Sequence, residues 1–133
     1  MVGAMAKRRE RKTVLIIEDD ADVRNFASRV LELEGYEVLE AEDKDNCLGL
    51  ARGSKIALVL LDLRLPGHDG WAVLERMKSE PGLSEIPVIV FTASAGAPQH
   101  DRALAMGAAD YLVKPLSAAK LREAVARILE QNR

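Results

Sequence analysis

Five residues of the chain have side chains suited to chemistry on a charged substrate, and each lies at the end of a short apolar run. Glu18 and Asp19 follow the first run, and Asp62 follows the third. Thr92 ends the fourth run, and Lys114 follows the fifth. Together they supply three carboxylates, a hydroxyl and an ammonium group. The value of such a set depends on whether the fold brings the five side chains together.

Three carboxylates in one place repel each other and attract a cation. At an effective dielectric constant of ~20, two like unit charges ~4 Å apart are destabilised by about 4 kcal/mol. Lys114 offsets part of that repulsion, and a divalent cation offsets more. A small set of oxygen ligands suits Mg²⁺, with Mn²⁺ as a substitute, and Mg²⁺ often shares its coordination with a phosphoryl group.

The same groups fit transfer of a phosphoryl group to an aspartate. Asp62 would be the nucleophile. Lys114 and Thr92 would stabilise the charge on the oxygens of the transferred group, together with the metal ion. A flavin phosphate at this place is disfavoured, because Glu18, Asp19 and Asp20 would repel it.

The elements that must position these groups follow from the apolar pattern. Continuous apolar runs predict strands at 13–17, 36–41, 56–61, 87–92 and 111–113. Apolar residues at helical spacing lie between them. The helices are predicted from the Asp20 cap to Gly35, from Asp43 or Asp45 to Gly53, over 70–79, over 98–106, and around a final stripe from Leu121 to Leu129.

The predicted fold class is α/β, a doubly wound five-stranded parallel sheet with five helices. Strands that are apolar throughout are buried on both faces, which indicates a parallel sheet with helices on each side. Ligands of such sheets bind beyond the carboxyl ends of the strands. The five polar groups all fall at that edge, so the fold predicts that they meet.

Composition sets the class of protein. The chain has 133 residues, 48% of them apolar, one cysteine and a formal net charge of −2. This favours one domain over residues 13–131 and disfavours a strongly basic nucleic-acid surface. No run is long enough to span a membrane, and the expected location is cytoplasmic. Residues 1–12, which include the basic run Lys7 to Lys12, are expected to be a disordered segment or an added extension.

Four stretches resemble the receiver domains of two-component response regulators: VLIIEDD (14–20), LDLRLPGHDG (61–70), VIVFTA (88–93) and GAADYLVKP (107–115). Each is weak alone, but all four in this order and spacing are specific. The resemblance spans nearly the whole chain and implies strand order 2-1-3-4-5. It leaves open whether the chain is a stand-alone regulator or a receiver from a longer protein.

The resemblance implies a role for each matching acid. Asp62 is the expected phosphoacceptor and also a metal ligand. Asp19 is expected to bind Mg²⁺ directly, Glu18 to act through water, and the backbone carbonyl of Arg64 to complete the protein's ligands. Arg64 and Ser94 also occupy positions that vary among receivers and affect the lifetime of the phosphoryl group.

The resemblance also implies a switch. Thr92 and Lys114 are expected to bond to the phosphoryl group, and the bond before Pro115 is expected to be cis. Tyr111 is expected to turn inward when Thr92 moves, which would change the surface formed by the fourth helix, last strand and last helix. Ala93 is small enough to leave access to the phosphoryl group.

The partner implied is a histidine kinase or a histidine phosphotransfer protein, followed by an unidentified protein target. Direct contact with nucleic acid or membrane is not expected, and the chain is expected to be a monomer or a phosphorylation-dependent dimer. It would catalyse only its own phosphorylation and dephosphorylation.

Two alternative functions stay open. One is a phosphatase of the haloacid-dehalogenase kind, although Arg64 stands where that class has a second aspartate. The other is a degenerate receiver that serves only for docking.

Overall fold

The fold is built on one five-stranded parallel sheet. The computed structural model describes residues 11–42, 44–53, 55–65, 68–93 and 96–131. The strands are β1 (Thr13–Ile17), β2 (Glu37–Ala41), β3 (Leu58–Leu61), β4 (Val88–Thr92) and β5 (Asp110–Val113). Their order is β2-β1-β3-β4-β5, with all four pairings parallel. The predicted doubly wound sheet and its strand order are confirmed.

Five helices within the described residues cover the two faces of the sheet. They are α1 (Ala21–Leu33), α2 (Lys44–Gly53), α3 (Gly70–Ser79), α4 (Ala97–Ala105) and α5 (Ala118–Gln131). Helices α1 and α5 share one apolar cluster with alternate residues of the strands. Helices α2, α3 and α4 contribute to the other cluster. Both faces of the sheet are therefore core, which is why its strands are apolar throughout.

The ends of α1 follow from local chemistry. Asp20 caps the helix, its carboxylate accepting hydrogen bonds from the amides of Asp22 at 2.9 Å and Val23 at 3.2 Å. Gly35 follows the last turn with φ of 95°, a conformation that glycine adopts without strain. Helix α1 thus starts at Ala21, directly after the acidic run from Glu18 to Asp20.

Element boundaries differ from the sequence predictions by one or two residues, which is the usual uncertainty of helix and strand ends. The third strand begins at Leu58 instead of residue 56, although Ile56 is buried. The fourth helix covers Ala97–Ala105 instead of 98–106. A short antiparallel ladder, Arg64–Leu65 with His68–Asp69, was not predicted.

Phe26 is one of the apolar residues at helical spacing in α1, but it is 40% exposed. The buried face of α1 centres on Ala27, Val30 and Leu31, and a neighbour one position away points about 100° from that face. Phe26 therefore lies at the rim of the helix interface.

Several sequence predictions concern residues outside those described. They include the turn at Pro66 and Gly67, Asp43 as a helix start, Ser94, and residues 1–10 of the N-terminal segment. In the part of the chain that is described, no helix combines the length and the apolar character needed to cross a bilayer.

Candidate functional site

Three acids meet at the carboxyl edge of the sheet. Glu18 and Asp19 leave the end of β1, and Asp62 leaves the end of the neighbouring strand β3. One carboxylate oxygen from each lies within 4.8 Å of the other two. Glu18 is fully buried and Asp62 is 3% exposed, whereas Asp19 is exposed. The cluster is therefore a cup with two buried acids and one acid at its mouth.

Lys114 reaches this cluster from the end of β5. Its Nζ donates to Glu18 Oε1 at 2.5 Å and to Asp62 Oδ2 at 3.0 Å. The same ammonium lies 5.0 Å from the centre of the Phe91 ring. A single cation thus joins acids from two strands, and it offsets part of their repulsion.

The pKa values of Glu18 and Lys114 are both raised, but for different reasons. Burial raises the pKa of the Glu18 carboxyl, and the nearby Asp62 charge adds to this, while hydrogen bonds from Lys114 and Asp20 oppose it. Burial alone would lower the pKa of Lys114, but its bonds to Glu18 and Asp62 outweigh that effect and raise it. Lys114 pairs with two carboxylates and so stays charged.

The loop after β3 fixes Asp62. The Arg64 amide donates to Asp62 Oδ1 at 3.1 Å, and the Asp62 amide donates to the Ile17 carbonyl at 3.1 Å. Gly70 opens α3 against this loop. A Cβ added at Gly70 would lie 2.4 Å from the Leu63 Cα, so only glycine permits this approach.

The remaining predicted residues lie on β4 and β5. Thr92 is fully buried, and its carbonyl accepts a 2.9 Å bond from the Lys114 amide. The Lys114–Pro115 peptide bond is cis. Tyr111 is only 8% exposed, and its ring makes an edge contact with His100 at 5.3 Å between centroids. The Tyr111 ring is therefore buried in this structure, and its expected movement on phosphorylation stays a prediction.

The acidic cluster fits a hard divalent cation. All three donors within reach are carboxylate oxygens, which Mg²⁺ and Mn²⁺ accept and which softer metals do not prefer. Arg64 lies beside the cluster, with its amide on Asp62. Two of the acids are drawn toward Lys114, so a metal ion there would share them with the ammonium.

A basic residue that was not predicted from the sequence lies beside the acids. Arg24, on α1, donates to the Glu18 carbonyl at 2.7 Å and the Asp19 carbonyl at 3.3 Å. Its guanidinium also lies 3.5 Å from Glu40 and 3.6 Å from Glu42. The signal in the sequence was an arginine directly after Val23, within the apolar stripe of the helix, where a charge needs a partner.

An open apolar groove of about 490 Å³ lies beside Lys114. Val23 and Phe26 of α1 line one part of it, and Pro115 and Leu116 line another. Phe26, at the rim of the helix interface, faces this groove. It also leaves an apolar surface next to the buried carboxylates.

Comparison with known proteins agrees with the geometry. The family described as the response regulator receiver domain matches residues 14–126. The phosphate regulon transcriptional regulatory protein PhoB of Pseudomonas aeruginosa is 38% identical over 117 residues, which are 88% of this chain and 50% of that protein. The probable transcriptional regulator ycf27 of Porphyridium aerugineum is 31% identical, over 92% of this chain and 50% of that protein. The chain spans about half the length of these curated relatives.

Solved structures give the same result. A putative response regulator from Chloroflexus aurantiacus has a TM-score of 0.85 at 30% identity, covering 90% of this chain and 98% of that one. The receiver domain of NtrX from Brucella abortus has a TM-score of 0.82 at 31% identity, covering 88% and 98%. The family match spans most of the chain, and the acidic cup with its lysine lies within the matched residues. The chain therefore belongs to the response regulator receiver domain family of two-component systems.

Proposed function

We propose that the chain is a signalling phosphoacceptor that takes a phosphoryl group onto Asp62 in a Mg²⁺-dependent reaction. Glu18, Asp19, Asp62 and the Arg64 carbonyl would hold the ion, with Glu18 acting through water. When bound, the ion would neutralise charge on the phosphoryl oxygens. The donor would be a phosphohistidine on a histidine kinase or a histidine phosphotransfer protein.

The proposed phosphoryl transfer is a displacement at phosphorus. A carboxylate oxygen of Asp62 forms a bond to phosphorus, and the phosphorus–nitrogen bond of the phosphohistidine breaks. The electron pair of that bond returns to the imidazole nitrogen. Lys114 and Thr92 would stabilise the negative charge on the phosphoryl oxygens.

One observation carries the proposal. Asp62 is a buried carboxylate at the end of a central strand, and its two oxygens accept bonds from Lys114 and from the Arg64 amide. Buried carboxylates are rare unless they are paired or functional, and Asp62 shares one small space with two further acids. This crowding is unfavourable for stability alone, and it suits a site that binds a cation and a phosphoryl group.

The test uses a small-molecule donor. The full chain is incubated with Mg²⁺ and acetyl phosphate, and its intact mass is measured. We expect the mass of one phosphoryl group on the wild type and on Asp101→Asn, an exposed control, and none on Asp62→Asn. Equal labelling of the wild type and Asp62→Asn would contradict the proposal.

The groove beside Lys114 supports a protein donor. Its apolar lining and its position beside the acids would let a helical partner dock within reach of Asp62. We expect Phe26→Ser to slow phosphotransfer from the cognate kinase about tenfold, since one buried aromatic contact contributes about 1–2 kcal/mol to docking. The rate with acetyl phosphate should stay unchanged. If both rates fall together, Phe26 supports the fold instead.

The output is proposed to use Thr92 and Tyr111. Phosphorylation would draw the Thr92 hydroxyl toward the phosphoryl group and favour the buried position of the Tyr111 ring. The surface formed by α4, β5 and α5 would then bind a protein target, or a second copy of the chain. We propose that this occurs in the cytoplasm, without direct contact with nucleic acid. The activity of the longer transcriptional regulators among its relatives is not assigned to this chain.

Neither alternative has an observation in its favour. Arg64 stands two residues after Asp62, where a haloacid-dehalogenase phosphatase would have its second aspartate. A degenerate receiver would lack some of the reactive groups, but the five identified in the sequence are all present. Turnover of a generic phosphomonoester would support the phosphatase, and the absence of saturable Mg²⁺ binding would support the docking module.

A further inference from the structure

We propose that Arg24 is a positioning residue for the metal site, holding the Asp19 carboxylate in place through the backbone on both sides of it. This inference rests on the proposed function, because it concerns the same Mg²⁺ site. Arg24 lies outside the acidic cluster, and its effect on Mg²⁺ affinity can be measured separately from phosphorylation.

Asp19 is the acid that most needs positioning. Glu18 and Asp62 are buried and bonded to Lys114, so packing and hydrogen bonds confine them. Asp19 is the exposed member of the three. An exposed carboxylate keeps its rotational freedom, and its direction depends on the backbone that carries it.

Arg24 donates hydrogen bonds to the backbone on both sides of Asp19. The Glu18 carbonyl belongs to the peptide before the Asp19 Cα, and the Asp19 carbonyl belongs to the peptide after it. Arg24 Nη1 donates to both oxygens, at 2.7 Å and 3.3 Å. Holding both peptide planes restricts φ and ψ of Asp19, and those angles set the direction of its Cα–Cβ bond.

The Arg24 side chain is itself held in place by its surroundings. The Arg24 side chain is only 12% exposed and lies 3.5 Å from Glu40, a residue of the edge strand β2. Glu40 accepts a 2.5 Å bond from the buried hydroxyl of Ser28, one helical turn beyond Arg24. Arg24 is thus attached to α1 and contacts Glu40 of β2. Its planar guanidinium can donate to the Glu18 and Asp19 carbonyls and contact the Glu40 carboxylate at the same time.

Electrostatics and positioning predict opposite effects of removing Arg24. A positive charge near an acidic cluster repels Mg²⁺, so loss of the charge alone should tighten Mg²⁺ binding. Loss of positioning should weaken it. Groups that orient metal ligands typically change metal affinity by about 10–100-fold when removed. The sign of the change therefore separates the two effects.

The experiment measures Mg²⁺ affinity by calorimetric titration of the full chain, with the Tm of each variant recorded alongside. We expect Arg24→Met to raise the Kd for Mg²⁺ about tenfold. Arg29→Met, an exposed arginine on the same helix, should leave the Kd unchanged or slightly lower. With acetyl phosphate, Arg24→Met should need more Mg²⁺ for half-maximal labelling but reach a similar maximal rate.

Arg24→Lys keeps the positive charge but loses the planar guanidinium and its several donors. It therefore tests the positioning effect alone, and it replaces Arg24→Met if that variant does not fold. We expect its Kd to lie between those of the wild type and Arg24→Met. An Arg24→Met or, if that variant is unfolded, an Arg24→Lys protein with wild-type or tighter Mg²⁺ binding would overturn the role of Arg24. Absence of Mg²⁺ binding by the wild type would instead overturn the proposed metal site.

Discussion

The acidic cup combines burial with like charge. Glu18 and Asp62 are buried side by side, Asp19 lies at the mouth, and Lys114 bonds the two buried acids. The pKa of Glu18 is raised for the same reason, because burial disfavours its ionised form. We therefore expect local stability to be lower here than in a core made only of apolar residues.

Asp62→Asn should relieve part of this repulsion. Lys114 keeps its bond to Glu18, and the asparagine carbonyl can still accept a bond from it. We expect the free energy of unfolding without metal to rise by about 1 kcal/mol, from the Coulomb interaction of like charges at this range. Urea denaturation in a chelating buffer measures it, with Asp101→Asn as the exposed control. A clear loss of stability would mean that the Lys114–Asp62 bond outweighs the repulsion.

Much of the site could be predicted residue by residue, because its side chains follow apolar strands directly. Asp62 and Lys114 each had a recognisable place at the end of a strand. The position of Arg24 in the apolar stripe was visible in the sequence, but its partners could not be predicted, because they are backbone carbonyls that no sequence pattern marks. The buried position of the Tyr111 ring depends on the packing of α4, which the sequence spacing does not reveal.

At the scale of elements, α3 is held against the loop that carries Asp62. Gly70 starts the helix, its amide donates to the Leu63 carbonyl at 3.1 Å, and no room remains for a Cβ. The position of the Asp62 carboxylate thus depends on a contact between two backbones. The sequence predicted a helix from residue 70 without indicating this close approach.

Two glycine substitutions separate the effects of contact and helix propensity. Gly70→Ala should lower the free energy of unfolding by about 2–3 kcal/mol through overpacking. Gly49→Ala, in α2 with nothing within 4 Å of the new Cβ, should raise it by about 0.5–1 kcal/mol. Urea denaturation of both variants checks the pair. Equal effects at the two positions would contradict the close contact at Gly70.

Helices α2 and α3 are also joined by charge. Glu80, just after α3, accepts bonds from Arg52 of α2 at 2.6 Å and from Arg76 at 3.1 Å. The bond from Arg52, reinforced by Arg76, lowers the pKa of Glu80 from 4.5 to about 2. This junction lies away from the acidic cup and concerns the stability of the fold.

The lowered pKa of Glu80 sets a pH window. The ionised form is favoured in the folded state, so its stabilisation is present above pH 4.5 and is lost as pH falls toward about 2. We expect Glu80→Gln to have a lower Tm than the wild type at pH 7. The difference should shrink as pH falls from about 4.5 to about 2, measured by thermal denaturation. A difference that is constant with pH would exclude the ion pairs as its cause.

At the scale of the whole molecule, the site joins separate parts of the sheet. Its acids come from β1 and β3, its lysine from β5, and Arg24 connects the β1 end to the edge strand β2. The fold class could be predicted because both faces of each central strand are apolar, whereas the strand order was implied only by the resemblance to receiver domains. The boundaries and the exposure of Phe26 could not be predicted, since they depend on how the helices pack.

A ligand that binds across strands should stabilise the entire fold. With free Mg²⁺ at about ten times its Kd, the free energy of unfolding should rise by about 1.4 kcal/mol. One cooperative transition should move to higher temperature, as thermal denaturation would record. Asp62→Asn should show a smaller shift, because it loses one of the three acids. An equal shift for both proteins would place the bound ion elsewhere.

Lys114 gives the molecule a counterion that cannot diffuse away. Because its ammonium is covalently attached and already bonded to two acids, removal of Mg²⁺ by a chelator leaves the buried acids with a partner. If Asp62 is phosphorylated as proposed, a shortage of free metal would then stop the transfer while the buried acids kept a counterion, and the folded protein would persist until metal returned.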